Sequence, residues 1–391
     1  MKKRILFVIN SLGLGGAEKS LTSLLNMMDY DRYEVDLLMF NPGGMFMKLM
    51  PEKVHVLPQL DFLKSNQSVR CQLLHPAYLS ARVAATIGLR LNRRKKLLHP
   101  AQCYWKYAGR AFNALPDEYD AAIAWGQGNP THYVARKVHA KVKIAFINAD
   151  YEGVGHNKDF DKSYYAEYNH IAAVSDKLEQ MLRNTFPEYA NKIATVYDIN
   201  NAEMIARMAM ETNPFGKEPV HPVIVTVGRL VQPKGYDLAV EAARNLKMRG
   251  MDFRWYIVGE GPSRKQIEQA IRQYDLSEHV ILVGAKDNPY VYMKNADLYV
   301  QSSRFEGYCL TLAEARMLNK PVISTNFDVV YNQLKDGENG LIVRMDPEEI
   351  AGAIVRLWKD VSLQNHIVEN LKQEKKGNPE EIEKVYRMIE G

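Results

Sequence analysis

The sequence predicts an α/β protein made of two doubly wound parallel sheets, each with helices on both faces. The chain has 391 residues, more than one typical core and suited to two domains of roughly 150–200 residues. Short apolar runs alternate with stretches of helical periodicity, as in βαβ units. That grammar occurs twice, starting at Arg4 and again at Val223. The runs read as buried strands covered on both faces, which points to mostly parallel sheets.

The first domain is expected over residues 1–200. "RILFVI" (Arg4–Ile9) is its first strand, followed by a glycine-rich turn and the helix "AEKSLTSLLNMM". Strands "YEVDLLMF" and "KVHVLP" flank a turn at Pro42-Gly43-Gly44, and "DAAIAW", "VKIAFIN" and "HIAAVS" follow a basic helical region. The join falls near Asn200–Glu218, where "NPFGKEP" is rich in turn formers. The second domain, 203–375, opens on "VIVTVGRL" and the helix "YDLAVEAARNLKMRG". It runs on through "FRWYIVGEG", helix "RKQIEQAIRQYD", "VILVG", "ADLYVQ", helix "LTLAEARML", "PVIST" and "GLIVR". A tail over 376–391 has a helical pattern. Two such domains place a ligand cleft at the carboxyl ends of their strands.

Composition narrows the class. Hydrophobic residues at 46% and charged ones at 25% are ordinary for a soluble globular protein. Cys71, Cys103 and Cys309 lack metal-ligand spacing and cannot build a disulfide framework, so a reducing, cytoplasmic setting is expected. The basic start and its five-residue apolar run read as a strand rather than a leader, and no run reaches the length of a membrane span. The net charge of +5 is uneven: Phe62–Pro116 holds no Asp or Glu and ten Lys or Arg. Such a patch calls for an anionic partner.

Several short motifs carry chemistry, each with a plainer reading beside it. "GLGGAEK" sets Gly13, Gly15 and Gly16 between strand and helix, where the backbone can approach an anion or sugar. A dinucleotide fingerprint would place glycine where Glu18 stands, and Asp36 is too early in its strand to hold a ribose, so NAD is disfavoured. A tight turn with no ligand fits the same letters. "VGRLVQPKG" places Arg229 and Lys234 beyond a strand end, able to grip a diphosphate as fork and point charge; a solvated loop fits equally. "VGEGP" brings Gly259 and Gly261 before a helix, either as a backbone cradle or as a simple turn. In "SRFEGYCLTLAEA", Glu306 precedes a helix and Glu314 lies on its second turn; the amides of Tyr308, Cys309 and Leu310 lead into that helix. The two acids could hold hydroxyl pairs or could face water. Asp159 and Asp161 in "KDFDKS" have the spacing of a metal-nucleotide site, which a charged loop also produces, and no metal is expected. No P-loop, G-x-S-x-G elbow or zinc arrangement of histidines is present. "WGQGN", from Trp125, and Asp150 follow strands and are candidates to line the cleft.

Taken in order, "GLGGAEKS", "AVSDKLEQM", "VGRLVQPKGYDLAVEA", "VGEGP" and "SRFEGYCLTLAEA…KPVIST…NGLIV" resemble the retaining glycosyltransferases of GT-B architecture, sequence family 4. The resemblance covers nearly the whole chain and is strongest over Val223–Arg344. It implies two Rossmann-like domains facing each other across a cleft, with the tail helix crossing back to the first. It also implies that Arg229 and Lys234 bind the donor diphosphate, Glu314 the nucleotide ribose and Glu306 the transferred sugar. Gly307 and the amides of Tyr308, Cys309 and Leu310 are implied for phosphate and sugar, with Gly259 nearby and Gly284 bordering the base. Gly15 and Gly16 would close over the donor. Two positions depart from the family. Asn148 in "FINAD" stands where many relatives have a His near the sugar and reaction centre, and Asn cannot titrate. Asp198 stands where relatives often have Asn.

The function so implied is transfer of a hexose or N-acetylhexosamine from a nucleotide sugar, UDP-sugar favoured, to a saccharide or polyprenyl-linked acceptor in surface polysaccharide or glycolipid synthesis, with no cofactor required. The donor phosphate can take the acceptor proton, so two carboxylates flanking a glycosidic bond, as in hydrolases, are not needed. A non-catalytic GT-B binding subunit and a nucleotide-sugar epimerase are the alternatives. The segment 82–98 combines helical apolar spacing with Arg90, Arg93, Arg94, Lys95 and Lys96, which suits an anionic membrane surface or a solvated hairpin. A cytoplasmic protein, peripheral on the inner face of the cell membrane, is the corresponding location. Nucleic acid is not expected, because no reader module is present.

Overall fold

The structure is a computed structural model that describes residues 2–13, 15–64, 76–95, 97–151, 153–216 and 222–391, with backbone alone at 94 and 95. Arg70, Cys71, Lys96, Glu218 and the charged tips of Arg94 and Lys95 lie outside the described residues. The chain divides into two compact units, residues 1–199 with 379–391, and residues 200–378.

The first unit carries strands β1 (Lys3–Ile9), β2 (Tyr33–Met39), β3 (Val54–Val56), β4 (Glu118–Trp125), β5 (His139–Ile147), β6 (His170–Ala173) and β7 (Ile193–Thr195). They form one sheet in the order β3-β2-β1-β4-β5-β6-β7, and every pair is parallel. The second unit carries β8 (Val223–Val227), β9 (Arg254–Val258), β10 (Val280–Gly284), β11 (Leu298–Gln301), β12 (Val322–Thr325) and β13 (Leu341–Val343). Its order, β10-β9-β8-β11-β12-β13, is again all parallel. Both are doubly wound, and the order reverses beside the first strand of each unit. The chain therefore leaves the paired strand ends in opposite directions there and opens a crevice.

Apolar continuity explains the central strands. Ile5 to Val8 are fully buried, as are Ala121 to Ala124, because helices cover both faces and leave no solvent side to alternate toward. The first core adds Phe7, Trp125 and Phe146, the last two stacked with centroids 4.1 Å apart. The second gathers Phe253, Trp255, Leu298 and Ile354. Side chains start several helices where their sequence permits it. Ser175 accepts from Leu178 N–H, and Asp346 caps Pro347–Lys359 with proline at the first turn.

Two local readings change. "KDFDKS" is not a charged loop but the start of a helix, Lys158–Tyr165, because the Asn157 side chain caps it and Asp161 turns inward. The tail helix spans Glu381–Glu390, since Gly377 adopts a left-handed φ of 69° and Pro379 follows. Ile382, Val385, Tyr386 and Ile389 bury it in the first unit's core. Tyr386 stacks on Tyr33 at 5.0 Å and its hydroxyl accepts from Asp29 N–H at 2.8 Å.

Asp198, near the end of the first unit, is buried, and that burial pushes its carboxyl up to about 7 against a hydrogen bond with Ser20 that works to lower it. Its native pKa exceeds the unfolded value of about 3.9. The native state therefore holds the proton over a range where the unfolded chain has released it, and stability falls as pH rises from about 4 to 7. Asp198→Asn is expected to stabilise the first unit by about 4 kcal/mol at pH 8 and by little at pH 4. Urea unfolding of both proteins at the two pH values measures this; an equal difference at both would refute it.

Candidate functional site

The strand-order reversal in the second unit lies between β8 and β11, and the segments leaving those two strands carry most of the singled-out residues. After β8 the chain passes Gly228, exposed Arg229 and buried Leu230 into a short turn, Gln232–Lys234. Gly235 ends that turn at φ 63°, and a Cβ there would come within 1.9 Å of the Ser302 carbonyl oxygen. Only glycine allows both the left-handed backbone and this approach to the end of β11. The two segments are then fastened together. Arg304 N–H donates to Pro233 O at 2.7 Å, and Ser302 Oγ to Lys234 O at 3.1 Å. The Arg304 guanidinium grips both Asp237 oxygens at 2.7 and 2.6 Å.

This fastening brings Lys234 to Glu306. Lys234 Nζ lies 2.6 and 2.7 Å from the two carboxylate oxygens of Glu306. Burial works to lower the Lys234 pKa, and the Glu306 carboxylate outweighs it, so the ammonium is held above its ordinary range. Glu306 Oε1 also accepts from Ser303 Oγ at 2.6 Å and Gln301 Nε2 at 3.1 Å. Gln301 is oriented in turn by Tyr299 OH at 2.6 Å and Thr311 Oγ1 at 3.2 Å on its Oε1. Glu306 thus accepts from an ammonium, a hydroxyl and an amide, a set that holds its side chain in one orientation.

The helix Leu310–Met317 follows at once. Its N-cap, Cys309, adopts φ 70° and ψ 65°, and no side chain caps the helix. A non-glycine residue in the left-handed region is uncommon. Buried Gln333 steadies this turn by donating to the Tyr308 carbonyl. Burial holds the Cys309 thiol well above its ordinary range, so it packs as a neutral group. Glu314 is fully buried on the next turn. Burial raises the Tyr290 hydroxyl pKa, and the charge of Glu314 and a hydrogen bond to it raise it further, which pairs the two side chains. Neither Glu306 nor Glu314 is a surface acid.

The second unit therefore gathers Lys234, Glu306, Gly307, Tyr308, Cys309 and Leu310 around one helix start, with Arg229 at the adjoining strand end. Gly259, at φ 156°, presses against the Gly228 carbonyl, where a Cβ would approach to 1.9 Å; its observed partner is backbone. Gly284 ends edge strand β10, and its carbonyl accepts from Gly259 N–H at 2.9 Å. Gly15, Gly16 and Asn148 belong to the first unit. Gly15 precedes the helix Gly16–Met27 with extended backbone. Asn148 follows β5, and among the described residues both polar atoms of its buried side-chain amide lack a hydrogen-bond partner.

Residues 211–374 match the family profile described as glycosyl transferases group 1. The alpha-D-kanosaminyltransferase of Streptomyces kanamyceticus is 28% identical over 173 residues, 44% of this chain and 45% of that protein. The chain thus spans about half the length of that relative. A Campylobacter jejuni protein named N-acetylgalactosamine-N,N'-diacetylbacillosaminyl-diphospho-undecaprenol 4-alpha-N-acetylgalactosaminyltransferase is 26% identical over 351 residues, 89% of this chain and 87% of its own. The crystal structure of Anabaena HepE with UDP and glucose superimposes with a TM-score of 0.69 at 17% identity, covering 100% of both chains. The fold is that of the GT-B glycosyltransferases.

Within this GT-B chain, Tyr299, Gln301, Ser303, Tyr290 and Gln333 were not predicted as site residues. Gln301 and Ser303 lie within "ADLYVQSSRFEG", and their polarity at the end of an apolar strand was the available signal. Tyr290 and Gln333 come from other helical turns and gave none. Among the described residues no metal-ligand cluster occurs. Asp161 instead binds His132 Nε2 and Tyr151 OH, each at 2.7 Å.

Proposed function

We propose that this protein is a retaining glycosyltransferase of sequence family 4 that moves a hexose or N-acetylhexosamine from a UDP-sugar to a saccharide or polyprenyl-linked acceptor. The observation that supports it most is the buried Lys234–Glu306 pair beside an uncapped helix start, within the segment matching the group 1 profile. Lys234, Arg229 and the amides of Tyr308, Cys309 and Leu310 meet the diphosphate and stabilise the charge that develops on it as the sugar–phosphate bond breaks. Glu306 takes sugar hydroxyls, Glu314 the ribose, and Gly284 borders the base. Gly15, Gly16 and Asn148 are the first unit's candidates for donor contact, and the Asn148 amide carries both a donor and an acceptor. A donor phosphate oxygen receives the acceptor proton as the new bond forms on the face the leaving group vacates. No residue of this chain need act as base.

The name of the Campylobacter relative favours a polyprenyl-diphosphate saccharide as acceptor, and with it a cytoplasmic protein held peripherally at the inner membrane face for capsule or other surface polysaccharide synthesis. The experiment is a donor screen. UDP-, GDP- and ADP-sugars are incubated with the protein and polyprenyl-diphosphate-linked saccharides, and products are read by mass. Addition of one sugar from a UDP donor, with the anomeric configuration kept, is expected. Tight UDP binding with neither transfer nor hydrolysis would make the protein a binding subunit instead.

A further inference from the structure

The helix Pro76–Lys95 has two unlike faces. One packs on the helix Pro100–Ala108: Ala85 is buried, and Gly88 lies so close to the Tyr107 ring that a Cβ would approach it to 2.2 Å. The turn between the helices is pinned by Asn92, which bonds the Leu98 carbonyl at 2.6 Å and the Leu98 N–H at 3.0 Å. The other face is exposed and apolar. Leu79, Val83, Ile87 and Leu91 are 38%, 50%, 52% and 54% exposed. Their four-residue spacing sets them in one row about 18 Å long. Leu97, just beyond the helix, is 64% exposed. Scattered exposed leucines need no explanation, but a continuous row of branched aliphatic residues is a contact surface.

The surrounding charge says what covers it. Exposed Arg90 and Arg93 adjoin the row, and Lys106 and Arg110 are exposed on and just beyond the neighbouring helix. No acidic residue occurs from Phe62 to Pro116. A second copy of the chain docked through this row would set these cations against one another around a two-fold axis. An anionic bilayer does the reverse: its headgroups attract the arginines while its acyl boundary takes the aliphatic row. Among the described residues no helix is long and apolar enough to cross a membrane, so the helix would lie in the interface plane.

We infer that Leu79, Val83, Ile87 and Leu91, flanked by Arg90 and Arg93, form the surface by which this protein docks on anionic lipid. The inference deepens the lipid-linked acceptor reading, because docking would hold the first unit where such an acceptor is anchored.

The test uses the full chain with vesicles of phosphatidylcholine, alone and with phosphatidylglycerol added. Co-sedimentation is expected only with the anionic vesicles. Val83→Ser/Ile87→Ser/Leu91→Ser is expected to weaken it roughly tenfold or more, and Arg90→Glu/Arg93→Glu to remove its dependence on phosphatidylglycerol. Ile87→Trp adds a reporter whose fluorescence should shift to the blue on binding. UDP affinity, measured in parallel, should stay unchanged in all variants and serves as the folding control. Absent vesicle binding, or binding unaltered in the triple variant, would overturn the inference. So would a concentration-dependent dimer that the triple variant abolishes, since a second copy would then cover the row. Vesicle binding without any UDP binding would overturn the donor-site reading and leave the docking surface standing.

Discussion

Lys234→Ala is expected to lower sugar transfer roughly 10²–10³-fold, the usual loss when one preorganised charge-stabilising group is removed, and to weaken UDP binding. Lys234 Nζ is held 2.6 Å from Glu306. A donor diphosphate would meet an ammonium already fixed in place and kept protonated by its carboxylate partner. The same substitution carries a stability cost of a different origin. Glu306 would keep Ser303 and Gln301 but lose its countercharge in a largely buried site. That is expected to destabilise the second unit on the order of 2–4 kcal/mol, less than a fully buried pair because the Lys234 side chain remains 23% exposed. The double variant Lys234→Ala/Glu306→Gln separates the two effects. Removing the orphaned charge should return most of the stability and none of the activity. Urea unfolding and UDP titration of the three proteins decide the matter, and UDP affinity unchanged in Lys234→Ala would remove Lys234 from the diphosphate role.

What the letters revealed of this site follows how local each part is. Glu306, Gly307 and the helix start are contiguous, and a turn before an apolar helical run is visible at that range. Lys234 and Glu306 are 72 positions apart. They could be assigned to one place because each follows a strand of the same repeated grammar, and doubly wound topology sends both strand ends to one crevice. The polar support was not legible. Tyr299 and Gln301 hold each other across two residues of a strand, a contact that strand periodicity does not announce. Gln333 reaches the Tyr308 carbonyl from a turn after β12, and nothing local distinguishes it from a surface glutamine. The same limit hid Asp161. Spacing with Asp159 fits a metal-nucleotide site or a charged loop, whereas tertiary packing buries Asp161 and leaves Asp159 outside. The helix Pro76–Lys95 was half legible: its basic run was plain, but which apolar residues stay uncovered depends on where the helix Pro100–Ala108 packs.

Asp161→Ala is expected to destabilise the first unit by about 3–5 kcal/mol, the range for stripping the acceptor from a buried charged cluster. Asp161 is 2% exposed and accepts from His132 Nε2 and Tyr151 OH at 2.7 Å each, with His156 Nδ1 at 3.3 Å. His132 is enclosed by the rings of Trp105, Phe160 and Tyr164, and its bond to Asp161 places the proton on Nε2. His156 stacks on His99 with centroids 4.2 Å apart. Gln102 joins the backbones of His99 and Asn157 at 3.0 and 2.9 Å, so the carboxylate organises three separate chain segments. Burial alone would raise the Asp161 pKa; hydrogen bonds from His132, His156 and Tyr151 outweigh it and hold the carboxyl below its ordinary range. A depressed native pKa gives stability that is fully present above the unfolded value of about 3.9 and is lost as pH falls below it. The gap between wild type and Asp161→Ala should therefore be full at pH 7 and narrow progressively below about pH 4. Hydrogen exchange locates the effect: protection should fall across 129–165 and remain unchanged across 223–343. Equal protection in both proteins over 129–165 would mean that the cluster does not hold these segments together.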